Sequence, residues 1–94
     1  MMNPKVIKVQ PEQNYMLNLW FSNGEQRYFD MKPYLDFEVF QVLKDQQLFN
    51  TATTFLGSVT WSNNSDLSYD TLYLEGVPRA LADSYIREGV VGIK

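Results

Sequence analysis

The chain predicts an α+β fold: an antiparallel sheet of three N-terminal strands, then a helix, two further strands and a short helix, with helices packed against the sheet. Three observations carry this. Residues 15–21, YMLNLWF, alternate between two faces with the period of a strand. Asn23-Gly24 follows at once, the strongest short hairpin signal. Residues 33–45, PYLDFEVFQVLKD, then change to the apolar spacing of a helix.

Taken in order, KVIKVQ is a first strand, placed at a sheet edge because Pro11 follows it directly. The second strand puts Tyr15, Leu17, Leu19 and Phe21 on one face and Met16, Asn18 and Trp20 on the other. QRYFDM is the return strand. A two-residue turn would pair Leu17 with Asp30 and bring a carboxylate to the core. A three-residue turn, residues 22–24 with a bulge at Gly24, pairs Leu17 with Phe29 and Tyr15 with Met31. One residue of slip exchanges the faces of a strand, so the bulged register is the expected one. The helix starts near Asp36 as N-cap, with Leu35, Val39, Phe40, Val42 and Leu43 as its apolar stripe and Lys44 in the last turn. LFNTATTF and SVTW are two strands joined at Leu56-Gly57. Ser68 caps a short helix over residues 69–75, stopped by Gly76. Residues 1–76 are thus one domain; residues 77–94 are expected to add a last helix over 78–88 and an apolar tail, VVGIK.

Composition narrows the chemistry. Ninety-four residues suit one domain, and 45% hydrophobic with 15% aromatic residues is enough for one modest core. There is no cysteine, so disulfides and thiolate chemistry are excluded; there is no histidine, so the commonest general base and zinc ligand are missing. The net charge is -3 and the eight basic residues are scattered, which argues against direct contact with nucleic acid. The opening MMNPKVIKVQ has no apolar run like a signal peptide, and no later stretch approaches the length of a membrane span. A cytoplasmic domain of bacterial type is the expectation, with no cofactor and no membrane partner.

Two stretches carry a resemblance. YMLNLWFSNGEQRYFDM has Phe21 ending a strand, Gly24 in the turn and Asp30 near the end of the return strand. TWSNNSDLSYDTLY has Trp61, Asp66-Leu67 and Leu72-Tyr73. Over residues 6–75 this resembles a family of small bacterial proteins, domain of unknown function 2442. Ser62 and Asn64 stand where the family has proline and glycine, and Tyr69 stands where it has another proline. The resemblance implies an α+β fold and no known enzyme activity. It implies a gene-neighbour partner in a pairing like toxin–antitoxin modules, and, in longer members, a helix-turn-helix domain. The 18 residues after Gly76 are too few and too weakly basic for that motif.

Four candidate sites are weighed against structural roles. Asn64, Asp66, Ser68, Asp70 and Glu75 have the spacing of an EF-hand calcium loop. Tyr69 occupies the position that needs glycine, a strand-like segment ending in Trp61 precedes the loop, and only two early ligands are carboxylates. Turn formation by residues 63–65, capping by Ser68 and a favourable helix dipole for Asp70 account for the same residues, so no metal is expected. Glu25, Asp30, Asp36, Glu38, Asp66 and Asp70 could pair for catalysis, but nothing in their spacing brings two together, and a small enzyme or ligand-binding domain stands as the alternative. Asp30 is expected to bond the backbone of the next turn. Gly24, Asp30, Trp61, Asp66 and Ser68 therefore read as structural. Met16, Trp20 and Tyr28, on the strand face opposite the core, are residue types enriched at interfaces; the competing role is a second small core. The expected function is a non-enzymatic interaction module that presents this face to a protein partner or to a second copy of itself. An accessory to a transcriptional regulator is a further alternative.

Overall fold

In a computed structural model the described residues are 2–78. Strands β1 (Val6–Glu12), β2 (Met16–Phe21), β3 (Gln26–Asp30) and β7 (Val77–Pro78) form one sheet in the order β1-β2-β3-β7. Strands β4 (Thr53–Phe55), β5 (Ser58–Thr60) and β6 (Asp66–Leu67) form a second, in sequence order. All pairs are antiparallel. Helices α1 (Gln46–Phe49) and α2 (Tyr69–Glu75) and 3-10 segments at Gln13–Tyr15, Lys32–Tyr34 and Glu38–Lys44 complete the described fold.

The bulged hairpin register is present. Leu17 pairs with Phe29, and the Met31 N–H donates to the Tyr15 carbonyl at 3.0 Å. The Phe21 N–H bonds Glu25 O and the Gly24 N–H bonds Phe21 O, both at 2.9 Å, closing a three-residue loop. Gly24 supplies the left-handed residue of that bulge with φ +91. Leu17, Leu19 and Phe21 then point into the main core with Phe29, Met31, Leu35, Phe40, Leu43, Phe49, Val59, Trp61, Leu67 and Leu72. β1 runs through Pro11, which an edge strand tolerates because one side of its backbone makes no ladder bonds.

The expected single helix from Asp36 is replaced by separate turns. Phe37 is extended (φ -71, ψ 137), and Asp36 does not cap; its side chain is exposed, with one oxygen 4.0 Å from Lys44 Nζ. Phe37, Val39, Phe40 and Val42 are β-branched or aromatic, types that lose rotamer freedom in a helix and favour it little. At three residues per turn, positions i and i+3 stack. Phe40 and Leu43 are therefore buried, while Val39 and Val42 are exposed instead of joining an apolar stripe. The LFN segment is also not strand: Leu48 and Phe49 lie in α1, which Asp45 caps by accepting the Gln47 N–H at 3.0 Å.

The second hairpin turns at Leu56-Gly57, with φ 53 and 86. Val6 N–H donates to Gly57 O at 2.8 Å and joins the two sheets; a side chain at Gly57 would meet Lys5 within 3 Å. After β5, Asn64 adopts φ 73, which asparagine accepts more readily than most residues. Ser68 Oγ accepts the Thr71 N–H at 3.4 Å at the start of α2. Val77 and Pro78, expected to open the C-terminal extension, pair with Tyr28 and Arg27 as the fourth strand. The rest of the helix expected over 78–88, and the apolar tail, lie outside the described residues.

Candidate functional site

The face opposite the main core does not stand open to water as expected. β2 is an inner strand, and Met16, Asn18 and Tyr28 on this face are all buried. Met16 and Tyr28 form a second small apolar cluster, with Val77 packed against it. Trp20 is half-buried, with Lys8 Nζ 4.7 Å above its ring. The sequence placed these three residues on the correct face. It could not show that β7 would cover part of that face, because a two-residue strand, Val77–Pro78, is too short to carry an alternating pattern.

Where β2 begins and β3 ends, this small cluster forms one wall of a pocket of about 470 Å³, a volume ordinary for a ligand or side-chain site. Met16, Tyr28, Phe29, Asp30 and Val77 line the sheet side. Pro33, Tyr34 and Phe37 line the opposite side, with Glu75 from the end of α2. Pro33 helps set the 3-10 turn, and the extended Phe37 that breaks the expected helix is what carries its ring to the pocket, 55% exposed. Tyr34 sits between two rings: its centroid is 5.3 Å from Phe29 and 5.7 Å from Phe37, the latter near-perpendicular.

The polar groups are few and held. Asp30 Oδ1 accepts the Lys32 backbone N–H at 2.9 Å and pairs with Lys32 Nζ at 2.9 Å, so the carboxylate fixes the turn after β3. Lys32 Nζ also donates to Asn14 O at 3.0 Å. The Tyr34 hydroxyl donates to Glu75 Oε1. Burial, and then the Glu75 carboxylate beside it, push the Tyr34 hydroxyl up to about 12. Among the described residues no ion pair includes Glu75.

The other carboxylates and candidates are distributed over structural tasks. Glu25 accepts the Tyr73 hydroxyl at 2.7 Å and Arg27 Nε at 2.9 Å, and these two bonds hold its carboxyl below the usual range. Arg27 lies 4.0 Å over the Tyr73 ring and donates to Tyr73 O and Gly76 O, fastening α2 to the first hairpin. Of the calcium-like set, Asn64 is in a turn, Asp66 in β6, Ser68 at the cap of α2, Asp70 in its first turn with Asn3 Nδ2 at 3.0 Å, and Glu75 at its end against Tyr34. The last two thus stand at opposite ends of one helix. Trp61 is buried against Phe40 and Phe49, and its indole N–H donates to Phe49 O at 2.9 Å.

Sequence reasoning brought forward Met16, Tyr28 and Asp30, considered Glu75 only as a calcium ligand, and missed Tyr34, Phe37 and Val77. The signal available was the aromatic pair Tyr34 and Phe37 three residues apart, beside Pro33; reading the segment as one α-helix obscured it. No helix among the described residues is long and apolar enough to cross a membrane. Comparison with curated proteins and with solved structures finds no match. Residues 6–78 match the family described as protein of unknown function (DUF2442), a span that takes in every strand of both sheets, and the chain belongs to that family.

Proposed function

We propose that this chain is a non-enzymatic interaction module that engages a protein partner through the pocket at the start of β2 and the end of β3. One observation carries the reading: a pocket of about 470 Å³ walled by Met16, Tyr28, Phe29, Pro33, Phe37 and Val77, with the exposed Phe37 ring at its side. Aromatic and methionine side chains at a concave, mostly apolar surface are what partner anchors bury in interfaces. The family resemblance points to a partner encoded by a neighbouring gene, with a second copy of the chain as the other candidate. Trp20, four residues along β2 from Met16, lies outside the pocket.

A second reading, a small-ligand or catalytic site, draws on Asp30 and Glu75 lining the same pocket. Its weakness is that Asp30 already bonds Lys32 twice and Glu75 already accepts the Tyr34 hydroxyl.

Phe37→Ser tests the interaction reading, because that ring is more than half exposed and its loss should spare the core. The variant is expected to melt within a few degrees of the parent. It should lose self-association in sedimentation, or lose capture of a protein that the immobilised parent takes from host extract. A variant that melts normally and keeps every association of the parent would refute the reading.

A further inference from the structure

The lining of the pocket is acidic as well as apolar. Of the nine described residues that line it, two are acidic, none is basic, and four are aromatic: Tyr28, Phe29, Tyr34 and Phe37. Lys32 offsets Asp30, whereas Glu75 has no cationic partner among the described residues. Glu75 also stands in the last turn of α2, where the helix dipole disfavours a carboxylate. Its position is therefore not accounted for by helix stability. The Tyr34 hydroxyl holds Glu75 Oε1, and the other carboxylate oxygen accepts no hydrogen bond among the described residues.

Given the reading of this pocket as a partner site, we propose that it takes an arginine side chain of the partner protein. A cation is attracted by aromatic faces and by a carboxylate that has no cationic partner among the described residues. A purely aliphatic anchor would bury against Glu75 and desolvate that charge without compensation, and an acidic group would be repelled. Arginine fits better than lysine: the guanidinium is planar, stacks on rings, bonds a carboxylate through several N–H groups and is less strongly hydrated. The chain already contains this combination elsewhere. Arg27 lies 4.0 Å over the Tyr73 ring while bonding the Glu25 carboxylate at 2.7 Å. At the pocket, the exposed Phe37 ring, the Tyr34 ring and the Glu75 carboxylate stand together, and among the described lining residues there is no guanidinium.

The test is a titration of the full-length, nitrogen-15-labelled protein with blocked tripeptides, acetyl-Gly-Xaa-Gly-amide, where Xaa is Arg, Lys, Leu or Glu, and separately with tetramethylammonium chloride. The Arg peptide is expected to shift the amides of Asp30, Tyr34, Phe37 and Glu75 saturably and to bind more tightly than the other probes. Glu75→Gln keeps the acceptor for Tyr34 but removes the charge, so it should weaken the Arg peptide about ten-fold and leave the Leu peptide unchanged. A Leu, Lys or Glu peptide that binds as tightly as Arg would overturn the arginine assignment while leaving the partner site in place. Tighter binding of tetramethylammonium would overturn the partner protein as the source of the cation. If no probe shifts these amides, the arginine assignment falls, and the interaction reading is then decided separately by Phe37→Ser.

Discussion

Trp61 offers the sharpest check on how the core is held, because the ring does two separable things. It fills space between Phe40 and Phe49, and its N–H satisfies the Phe49 carbonyl at 2.9 Å. Trp61→Phe keeps an aromatic ring but removes the donor. The bond is worth about 1 kcal/mol net. The Phe49 carbonyl is not orphaned by its loss, since Ala52 N–H also reaches it at 3.3 Å, so the larger penalty for an unsatisfied buried acceptor is not added. Phenylalanine is smaller by about 40 Å³, and a residual cavity of that size adds about 1 kcal/mol. The sum is about 2 kcal/mol. Trp61→Ala removes the whole ring and should cost about 3–5 kcal/mol, a large part of the roughly 5–15 kcal/mol total of a domain. Guanidinium melts followed by far-ultraviolet circular dichroism measure both, the midpoint moving with little change in slope. If Trp61→Phe melts like the parent, or if Trp61→Ala costs no more than Trp61→Phe, the assignment of this ring to the packed centre is wrong.

Three further expectations follow from local geometry. Leu56 sits at the tip of the β4–β5 hairpin with φ 53 and 81% exposure; Leu56→Asn should stabilise the fold by about 1 kcal/mol in the same melts, since a branched apolar residue in that conformation costs about 1–2 kcal/mol, and an unchanged or lowered midpoint would show that Leu56 packs usefully. The Tyr34 hydroxyl, raised to about 12 in the folded chain from an ordinary 10, favours the fold fully below pH 10, and this contribution is lost as pH rises through 12. Absorbance titration at 295 nm should show a late-ionising component, and Tyr34→Phe should delete it; an unaltered curve would contradict the assignment. Calorimetric titration with calcium should give no heat, because residues 64–75 fold as turn, strand, cap and helix; a dissociation constant tighter than about 10⁻⁴ M would overturn that reading of the segment.

Much of the scaffold was settled by the amino-acid sequence alone, wherever the controlling interactions are local. The three-residue turn at Gly24 follows from a face count on two strands and one residue able to hold φ +91, and it fixes the partners of Leu17 and Phe29. The short helix after Ser68 likewise follows from a cap, an acidic first turn and Gly76 at its end. The segment from Lys32 to Phe49 was decided by tertiary packing. Its apolar spacing suits an α-helix, but weak propensity left the choice to the core, which buries Phe40 and Leu43 from a 3-10 turn and turns Phe37 outward. The pocket depends on that outcome. It brings together side chains from β2, β3, the 33–37 turns, α2 and β7, groups up to 61 residues apart between Met16 and Val77 (77 − 16 = 61). Periodicity reports which face a residue occupies within its own element. Which faces of distant elements meet is set by the closing of both sheets around one core, and only the tertiary structure records it.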